Sequence, residues 1–490
     1  MTMFKHLFLA IGTALISFLS TLKLYGEEFV LEKKIDAMAQ QAMEVFQVPG
    51  IAIGIIVDGK IVHTKGYGFR DVNRKLPVTE HTVFATASCT KSFTSFAMAQ
   101  LVEEGKISWD DPVVKHIPEF RLVDSERAKN ITVRDLLAHR TGYARHDVLW
   151  HTILNFSRND LVELLSKLNP ETGFREKFIY NNFMYMLAGE IIERVSLKPW
   201  EEVLEEQILR PFGLSDASLT LEKMEKGRDI SKAYAELQGV VQEIPKRKLD
   251  EQGAASALNA SVADLTKWVQ IQLLGSSGPF QEMHALQMTI PSGPDVSNPV
   301  QLGHGLGWFI GDFSGHRWMS HGGFIDGFAT EMSFLPDKGL GLVVLTNCSP
   351  NGKYAFSYLR NSIFDHLLGE EEGNRLKQTQ EERLQAKESI KREIVSDISI
   401  GNIQDYLGCY LHPAYGALEI KEEEGHLIAI LGRAKIPLIP KTERIFLAEF
   451  SSLLVYGIDP FIEFLFKENG EVWVPFEHFY SGKPIAFIAK

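Results

Sequence analysis

The sequence predicts an α+β protein: an antiparallel sheet flanked by helices, with a helical domain beside it and a small all-β domain at the C-terminus. Three observations carry this prediction. Apolar, β-branched runs separated by turn residues occur near residue 50 and again near residue 330. The segment between them has helical periodicity, and after a charge-dense stretch the chain returns to short strand-like runs. Strands at both ends of a helical middle suit one sheet assembled from the two ends of a domain, not a succession of βαβ units.

The first strands are Ile51 to Val57 and Ile61 to Lys65, joined through Asp58-Gly59, a strong two-residue hairpin signal. From Ser88 the period changes, with Phe93, Phe96, Ala97 and Leu101 at helical spacing and Gly105 placed to end the helix. Thr132 to Asp135 has the form of a capping box ahead of Leu136 and Leu137, and Phe183 to Val195 reads as an amphipathic helix starting just after Asn182. Phe328 to Leu335 and Leu340 to Leu345 flank Pro336-Asp337-Lys338-Gly339, whose residues favour a turn. Between Gly369 and Val395 the blocks Glu370-Glu371-Glu372, Glu381-Glu382-Arg383 and Lys391-Arg392-Glu393 have the composition of a solvated linking helix. Beyond Tyr406, runs such as Leu418 to Ile420, Leu427 to Leu431 and Phe461 to Phe466 alternate with turns, as in a small barrel or sandwich. These signals divide the chain into an export signal over 1–26, a main domain over 27–368, a charged helical linker over 369–395 and a β-rich domain over 396–490.

The export signal rests on Lys5 and His6 followed by an apolar run from Leu7 to Leu19, which is short for a bilayer span. Cleavage is expected near Gly26. Leu24 stands where a small residue would serve better, so an uncleaved N-terminal anchor is the one membrane contact the sequence leaves open. The expected location is outside the cytoplasm, periplasmic or secreted. Hydrophobic residues make up 45% and charged residues 23% of the 490, a globular balance. The 51 basic and 63 acidic residues give a net charge of −12, and no Lys/Arg cluster is present to meet a phosphate backbone, so nucleic acid is excluded as a partner. Cys89, Cys348 and Cys409 are too few and oddly numbered for a disulfide framework, and no spacing suggests a metal site.

Three short motifs carry chemistry. Ser88-Cys89-Thr90-Lys91 is an S-x-x-K pattern at a helix start, where residues three apart share a face and the Lys91 amine can reach the Ser88 hydroxyl. The same pattern at Ser20-Thr21-Leu22-Lys23 falls inside the export signal and has no such context. Tyr180-Asn181-Asn182 is the sole Y-x-N, placed just before a helix. A neighbouring ammonium would lower the Tyr180 phenol toward a useful proton carrier, and Asn182 can donate to a substrate carbonyl. His321-Gly322-Gly323-Phe324 is the sole H-x-G, on a strand or strand edge, where Gly323 lets substrate approach the backbone. The Phe324 and Ser88 N–H groups are candidates for an oxyanion hole. Each motif alone is matched by a plain structural alternative: an exposed lysine on a capped helix, a loop tyrosine beside a capping asparagine, a glycine turn beside a surface histidine. Their joint occurrence in this order is what separates them from chance.

Together these motifs resemble the serine β-lactamase-like superfamily, specifically the class C branch that includes penicillin-binding carboxypeptidases, esterases and D-amino-acid peptidases. Supporting segments run from Val48-Pro49-Gly50 through His139-Arg140-Thr141-Gly142 and Gly305-Leu306-Gly307-Trp308 to Leu345-Thr346-Asn347. The resemblance implies a cleft between an antiparallel sheet and a helical domain, with Ser88 acylated, Lys91 activating it, Tyr180 moving protons, and Asn182, His321, Gly323 and Phe324 binding substrate. The implied substrate is a small amide, a peptide containing D-amino acids, or an ester, and no metal or organic cofactor is required. His321 stands where class C β-lactamases carry lysine and matches related esterases and peptidases; an imidazole near pKa 6.5 would not act as a cation above neutral pH. Ala144-Arg145-His146-Asp147, together with Tyr406-Leu407-Gly408 and Tyr415-Gly416, resembles a subgroup with a lipocalin-like C-terminal domain, which implies a homo-oligomer assembled through that domain or a shielded cleft. Two other classes stay open at this level: a penicillin-binding or sensor protein that turns little over, and a protein whose main role is assembly.

Overall fold

The computed structural model describes residues 29–150, 157–237, 239–291, 299–371, 373–390, 401–449, 461–474 and 484–490. The export signal expected over 1–26 lies outside them, and no helix among the described residues is long and apolar enough to cross a membrane.

A helix over 29–46 (α1) leads into β1 (Gly50–Val57), which turns through Asp58 and Gly59 into β2 (Lys60–Asp71). Both turn residues have positive φ, 51° and 70°, the geometry whose twist matches a tight hairpin and that Asp-Gly tolerates. β3 (Leu76–Pro77) adds an outer strand. The chain then builds its helical domain: α2 (Thr90–Glu103), α3 (Val133–Leu137) and α4 (Asn182–Ser196), followed by α5 (Val262–Leu274) against the sheet. It returns as β4 (Met288–Thr289), β5 (Val300–His304), β6 (Phe309–Phe313), β7 (His316–Ile325), β8 (Phe328–Leu335) and β9 (Leu340–Thr346). β1 pairs antiparallel with β9, Ile51 opposite Thr346, closing a nine-stranded sheet of order β3-β2-β1-β9-β8-β7-β6-β5-β4.

The central strands read as continuous apolar runs because both faces of the sheet are covered. Ile51, Ile53 and Ile55 share one core with Met38, Ala42 and Phe46 of α1 and with Leu359 and Ile363 of α6 (Asn351–Leu368). Ala52 and Ile56, from the same strand, lie in the opposite core with Leu265, Trp268 and Val269 of α5. The local helix signals were equally legible. Gly105, at φ 68°, ends α2 with its N–H donating to the Val102 carbonyl, and the Thr132/Asp135 capping box is formed at α3. α4 is capped by the Asn181 side chain, which leaves Asn182, the first helical residue, available for other partners.

The charge-dense stretch forms α7 (Arg375–Ile390), but it is tied down more firmly than a solvated linker. Arg383 is 7% exposed and donates to Glu236 at 2.8 Å and to Asn351 Oδ1 at 3.2 Å, and Arg375 pairs with the buried Asp365 at 2.7 Å. The C-terminal region is a closed eight-stranded barrel: β10 (Gly408–His412), β11 (Gly416–Glu423), β12 (His426–Leu431), β13 (Ala434–Pro440), β14 (Ile445–Glu449), β15 (Phe461–Phe466), β16 (Glu471–Val474) and β17 (Ile485–Ala489). Tyr415, in its first turn, is buried with its hydroxyl 2.9 Å from His146 Nδ1, so the barrel docks on the loop that carries residues 144–147.

Candidate active site

Ser88 sits in a 3₁₀ turn over Ala87–Cys89 that runs directly into α2. Ala87 has φ 45°, a left-handed conformation that costs a non-glycine residue about 1–2 kcal/mol and presents the next side chain at the mouth of the turn. One turn on, Lys91 is fully buried, and its Nζ lies 3.1 Å from Ser88 Oγ, 2.7 Å from Asn182 Oδ1 and 2.8 Å from the Ala255 carbonyl. Burial, with help from the Arg145 guanidinium, holds the Lys91 ammonium well below its usual range. A neutral amine has two N–H bonds and one lone pair. Asn182 Oδ1 and the Ala255 carbonyl are acceptors only, so they take both N–H bonds, and the lone pair falls to the remaining neighbour, Ser88.

Tyr180 closes the other side. Its ring lies 4.8 Å from Lys91 Nζ and 4.8 Å from the Arg145 guanidinium carbon, and its hydroxyl is influenced by Ser88. The expectation that a cation would lower the phenol is reversed. Desolvation is the largest effect and raises Tyr180 above its usual value, although Arg145 and Ser88 act the other way. Burial thus favours a neutral amine and a protonated phenol around one serine hydroxyl.

Asn182 also differs from expectation. Its amide is committed within the protein: the oxygen accepts from Lys91, and Nδ2 donates to both carboxylate oxygens of Asp147 at 3.0 and 3.1 Å. Asp147 is buried and also accepts from Arg145 Nε at 2.8 Å and from Trp150 Nε1 at 3.0 Å. In this state Asn182 faces Lys91 and Asp147 and does not offer its N–H bonds to a substrate carbonyl.

The sheet supplies the third side. β6 pairs with β7 only as far as Ser320, opposite Phe309, whereas β8 pairs with β7 through Ile325. From His321 onward β7 therefore has one edge that no described strand covers. The two-residue turn between Ile325 and Phe328 makes those residues a hydrogen-bonded pair, so by the alternation of the ladder Phe324 turns its N–H and C=O toward the open edge. Gly323 lets β7 pass the nucleophile turn closely: a Cβ there would meet the Thr86 carbonyl oxygen at 1.9 Å and Cys89 Sγ at 3.3 Å. Cys89 is fully buried, its thiol is 3.5 Å from the His321 carbonyl, and burial pushes it well above its usual range, as befits a core filler and not a nucleophile.

His321 Nδ1 is 2.8 Å from the Gly322 carbonyl, so Nδ1 carries the proton and Nε2 keeps a lone pair. Burial, then Lys91 and His304, hold it well below the 6.5 expected from its type, so His321 is neutral at and below neutral pH. Two further imidazoles gather here without having been singled out in the sequence. His304 Nδ1 faces the Gly305 carbonyl at 2.8 Å, and His139 Nδ1 accepts from the Asn181 N–H at 3.1 Å. The Nε2 atoms of all three are buried with no partner among the described residues. No three His, Cys, Asp or Glu side chains among the described residues converge as a metal site would require. His139 belongs to the His139-Arg140-Thr141-Gly142 segment that carries the family resemblance. His304, like Arg145 and Asp147, had no signal of its own chemistry in the sequence.

These imidazoles predict acid lability. His146 and His304 are held down to about 3 by burial, and His139 and His321 are also well below 6.5. A folded pKa below the unfolded one means the unfolded chain takes up protons that the native state refuses. Stability is thus unaffected above pH 6.5 and falls below it, by about 1.4 kcal/mol per pH unit for each imidazole. Urea midpoints at pH 7.5, 6 and 5 are expected to fall at both steps, and further at the second than at the first.

The beta-lactamase family model matches residues 35–362. Among curated proteins, an unguisins hydrolase of Aspergillus campestris is 27% identical over 431 residues, covering 81% of this chain and 79% of that protein. Protein flp of Staphylococcus aureus is 27% identical over 344 residues, 68% of this chain and 67% of its own. Among solved structures, the octameric penicillin-binding protein homologue from Pyrococcus abyssi superposes with a TM-score of 0.64 at 26% identity, covering 93% of this chain and 99% of that one. A D-stereospecific amidohydrolase from a Streptomyces species superposes with a TM-score of 0.53 at 25% identity, covering 64% of this chain and 94% of that one.

Proposed function

The chain belongs to the beta-lactamase family, and on that premise we propose that it is a serine hydrolase that forms an acyl-enzyme at Ser88 and releases it to water. The observation that carries the reading is the set of partners around Lys91: a buried amine 3.1 Å from Ser88 Oγ whose other two neighbours, Asn182 Oδ1 and the Ala255 carbonyl, only accept, so that the neutral form favoured by burial keeps its lone pair for Ser88. In this reading Lys91 takes the Ser88 proton as Oγ bonds to the acyl carbon. The Phe324 and Ser88 N–H groups receive the oxyanion. The protonated Tyr180 phenol donates to the departing nitrogen or oxygen and is reprotonated from Lys91, which returns to the neutral amine. Water then enters by the same steps in reverse, with the leaving group's place taken by its oxygen.

For substrate we propose a small amide, a peptide containing D-amino acids, or an ester. The name of the Streptomyces protein, a D-stereospecific amidohydrolase, supports amide substrates, and that of the Aspergillus relative supports hydrolysis. His321 supports a substrate that does not need a cation at that point, because a neutral imidazole with a free Nε2 lone pair accepts a hydrogen bond and does not pair with a carboxylate. Assembly into a homo-oligomer is supported by the likeness to an octameric protein over 93% of this chain, barrel included, and light scattering that returned a monomer mass would remove it.

The test of the activity is intact-mass analysis after incubation with a fluorophosphonate and, separately, with a penicillin. A single adduct mapped to Ser88 and absent from Ser88→Ala is expected with the first. A penicillin adduct that persists for hours would favour a penicillin-binding protein with little turnover, and one that decays would indicate hydrolysis. Folded protein with no adduct from either reagent would end the serine-hydrolase reading.

A further inference from the structure

We propose that Asp147 is a positioning residue for catalysis: it fixes the Asn182 amide with its oxygen toward Lys91 and thereby aims the Lys91 lone pair at Ser88. The inference rests on the serine-hydrolase reading above and adds a residue to it.

An asparagine amide can sit either way round with little change in shape, and its surroundings decide which end faces which neighbour. Here the two orientations have opposite chemical consequences. With Oδ1 toward Lys91, the amine spends one N–H on Asn182 and the other on the Ala255 carbonyl, at 2.7 and 2.8 Å. With Nδ2 toward Lys91, a donor would confront the amine. The lone pair would turn to meet it, and an N–H would point at Ser88 Oγ, which removes the base from the nucleophile without moving a heavy atom. Asp147 excludes the second orientation, because its two oxygens lie 3.0 and 3.1 Å from Nδ2 and a carboxylate cannot donate to an amide oxygen.

Asp147 is itself over-determined. Arg145 holds it from one side at 2.8 Å through Nε and 2.6 Å through a terminal nitrogen, and the Trp150 indole donates from another at 3.0 Å. Trp150 and Asp147 are both buried, so the carboxylate is not free to swing into solvent. The pair also has opposed effects on the amine: the Asp147 charge favours protonated Lys91, and the larger influence of Arg145 together with burial disfavours it. Tyr180, Tyr185, Cys89, His139, His304 and His321 are the other titratable groups around the amine. Asp147 touches none of the atoms proposed to react, and it acts through Asn182.

The experiment compares full-length wild type with Asp147→Asn, Asn182→Ala and the double variant. It measures the rate of Ser88 labelling by a fluorophosphonate between pH 5 and 9, with folding followed by circular dichroism. Asp147→Asn keeps the shape but lets the Asn182 amide invert, so labelling is expected to slow by about 100-fold, the scale of a lost orientation in an active site. Its acidic limb is expected to move to lower pH, because the Asp147 charge that favoured protonated Lys91 is gone. In the Asn182→Ala background the same substitution should add nothing, since the group it acts through is absent. If Asp147→Asn does not fold, Asp147→Glu, which keeps the charge and displaces it by one methylene, carries the same comparison with the same expected slowing and non-additivity. Labelling at the wild-type rate, or losses that multiply in the double variant, would overturn the positioning role. Wild type that is not labelled at Ser88 at all would instead overturn the hydrolase reading.

Discussion

Replacing Lys91 with methionine should slow formation of the Ser88 acyl-enzyme by about 10⁴-fold, the upper range for loss of a positioned general base. The side chains are of similar length, so packing against Tyr180 and Tyr185 is kept, and burial already disfavours the charge that the substitution removes. What is lost is the lone pair near Ser88 and the two N–H donors, which leaves Asn182 Oδ1 and the Ala255 carbonyl without Lys91. Each unsatisfied acceptor costs about 1–3 kcal/mol, so the variant should be measurably less stable but folded. The second-order rate of fluorophosphonate labelling is the appropriate measure, with Tyr180→Phe beside it. If lysine is the base in acylation, Tyr180→Phe should be the milder of the two, because Tyr180 is held protonated and first acts at the leaving group. A Lys91→Met protein labelled within tenfold of wild type would assign the base elsewhere.

Gly323→Ala should lower activity by about 100-fold or more while its neighbour Gly322→Ala stays within a few-fold, a contrast that sequence proximity does not foretell. A Cβ on Gly323 would lie 1.9 Å from the Thr86 carbonyl oxygen, well inside contact distance, and neither partner yields readily. β7 is paired to β8 on one side, and Thr86 is held by its N–H and hydroxyl, both donating to the Leu258 carbonyl at 3.0 and 2.8 Å. The strand and the nucleophile turn must separate, and a displacement near 1 Å between the Phe324 N–H and Ser88 is worth about 100-fold. The strain itself should cost about 1–3 kcal/mol. At Gly322 the nearest atom is Glu331 Oε2 at 3.4 Å, an ordinary contact. Steady-state kinetics on an amide or ester substrate would compare the two, and equal activities would show that β7 and the Ser88 turn are not rigidly apposed.

Features specified by neighbouring residues were legible in the sequence. The Asp58-Gly59 turn, the Thr132/Asp135 cap, the stop at Gly105 and the spacing of Ser88 and Lys91 all depend on a few adjacent positions, and all formed as the pattern implies. Features set by long-range burial were not. That Tyr180 lies near a cation could be argued from the motifs, but whether attraction or desolvation wins depends on how tightly the fold encloses the phenol, and desolvation wins. Asp147 stood in a stretch noted only for its resemblance, because its partner Asn182 comes from another helix and is brought to it by packing. His304 is similar: an imidazole on β5 meets the site only because the fold brings it beside His139 and His321. The charge-dense helix α7 misled in the same manner, since a run of Arg, Lys and Glu does not reveal that Arg383 has a buried carboxylate waiting for it.

The join of β1 to β9 has a bearing on how the protein is made. Ile51 cannot meet Thr346 until the ribosome has supplied the whole helical domain and five more strands, so the central ladder is among the last contacts to close. Such non-local pairing is slow, because the entropy of a very long loop must be lost before any hydrogen bond is gained. Throughout that interval the β1–β2 hairpin offers an unpaired apolar edge of the kind that templates aggregation. Synthesis interrupted anywhere before residue 340 therefore yields a fragment with a sticky border and no partner strand to cover it. Refolding from denaturant should likewise lose yield as concentration rises, and a holding chaperone that masks residues 50–57 would recover it.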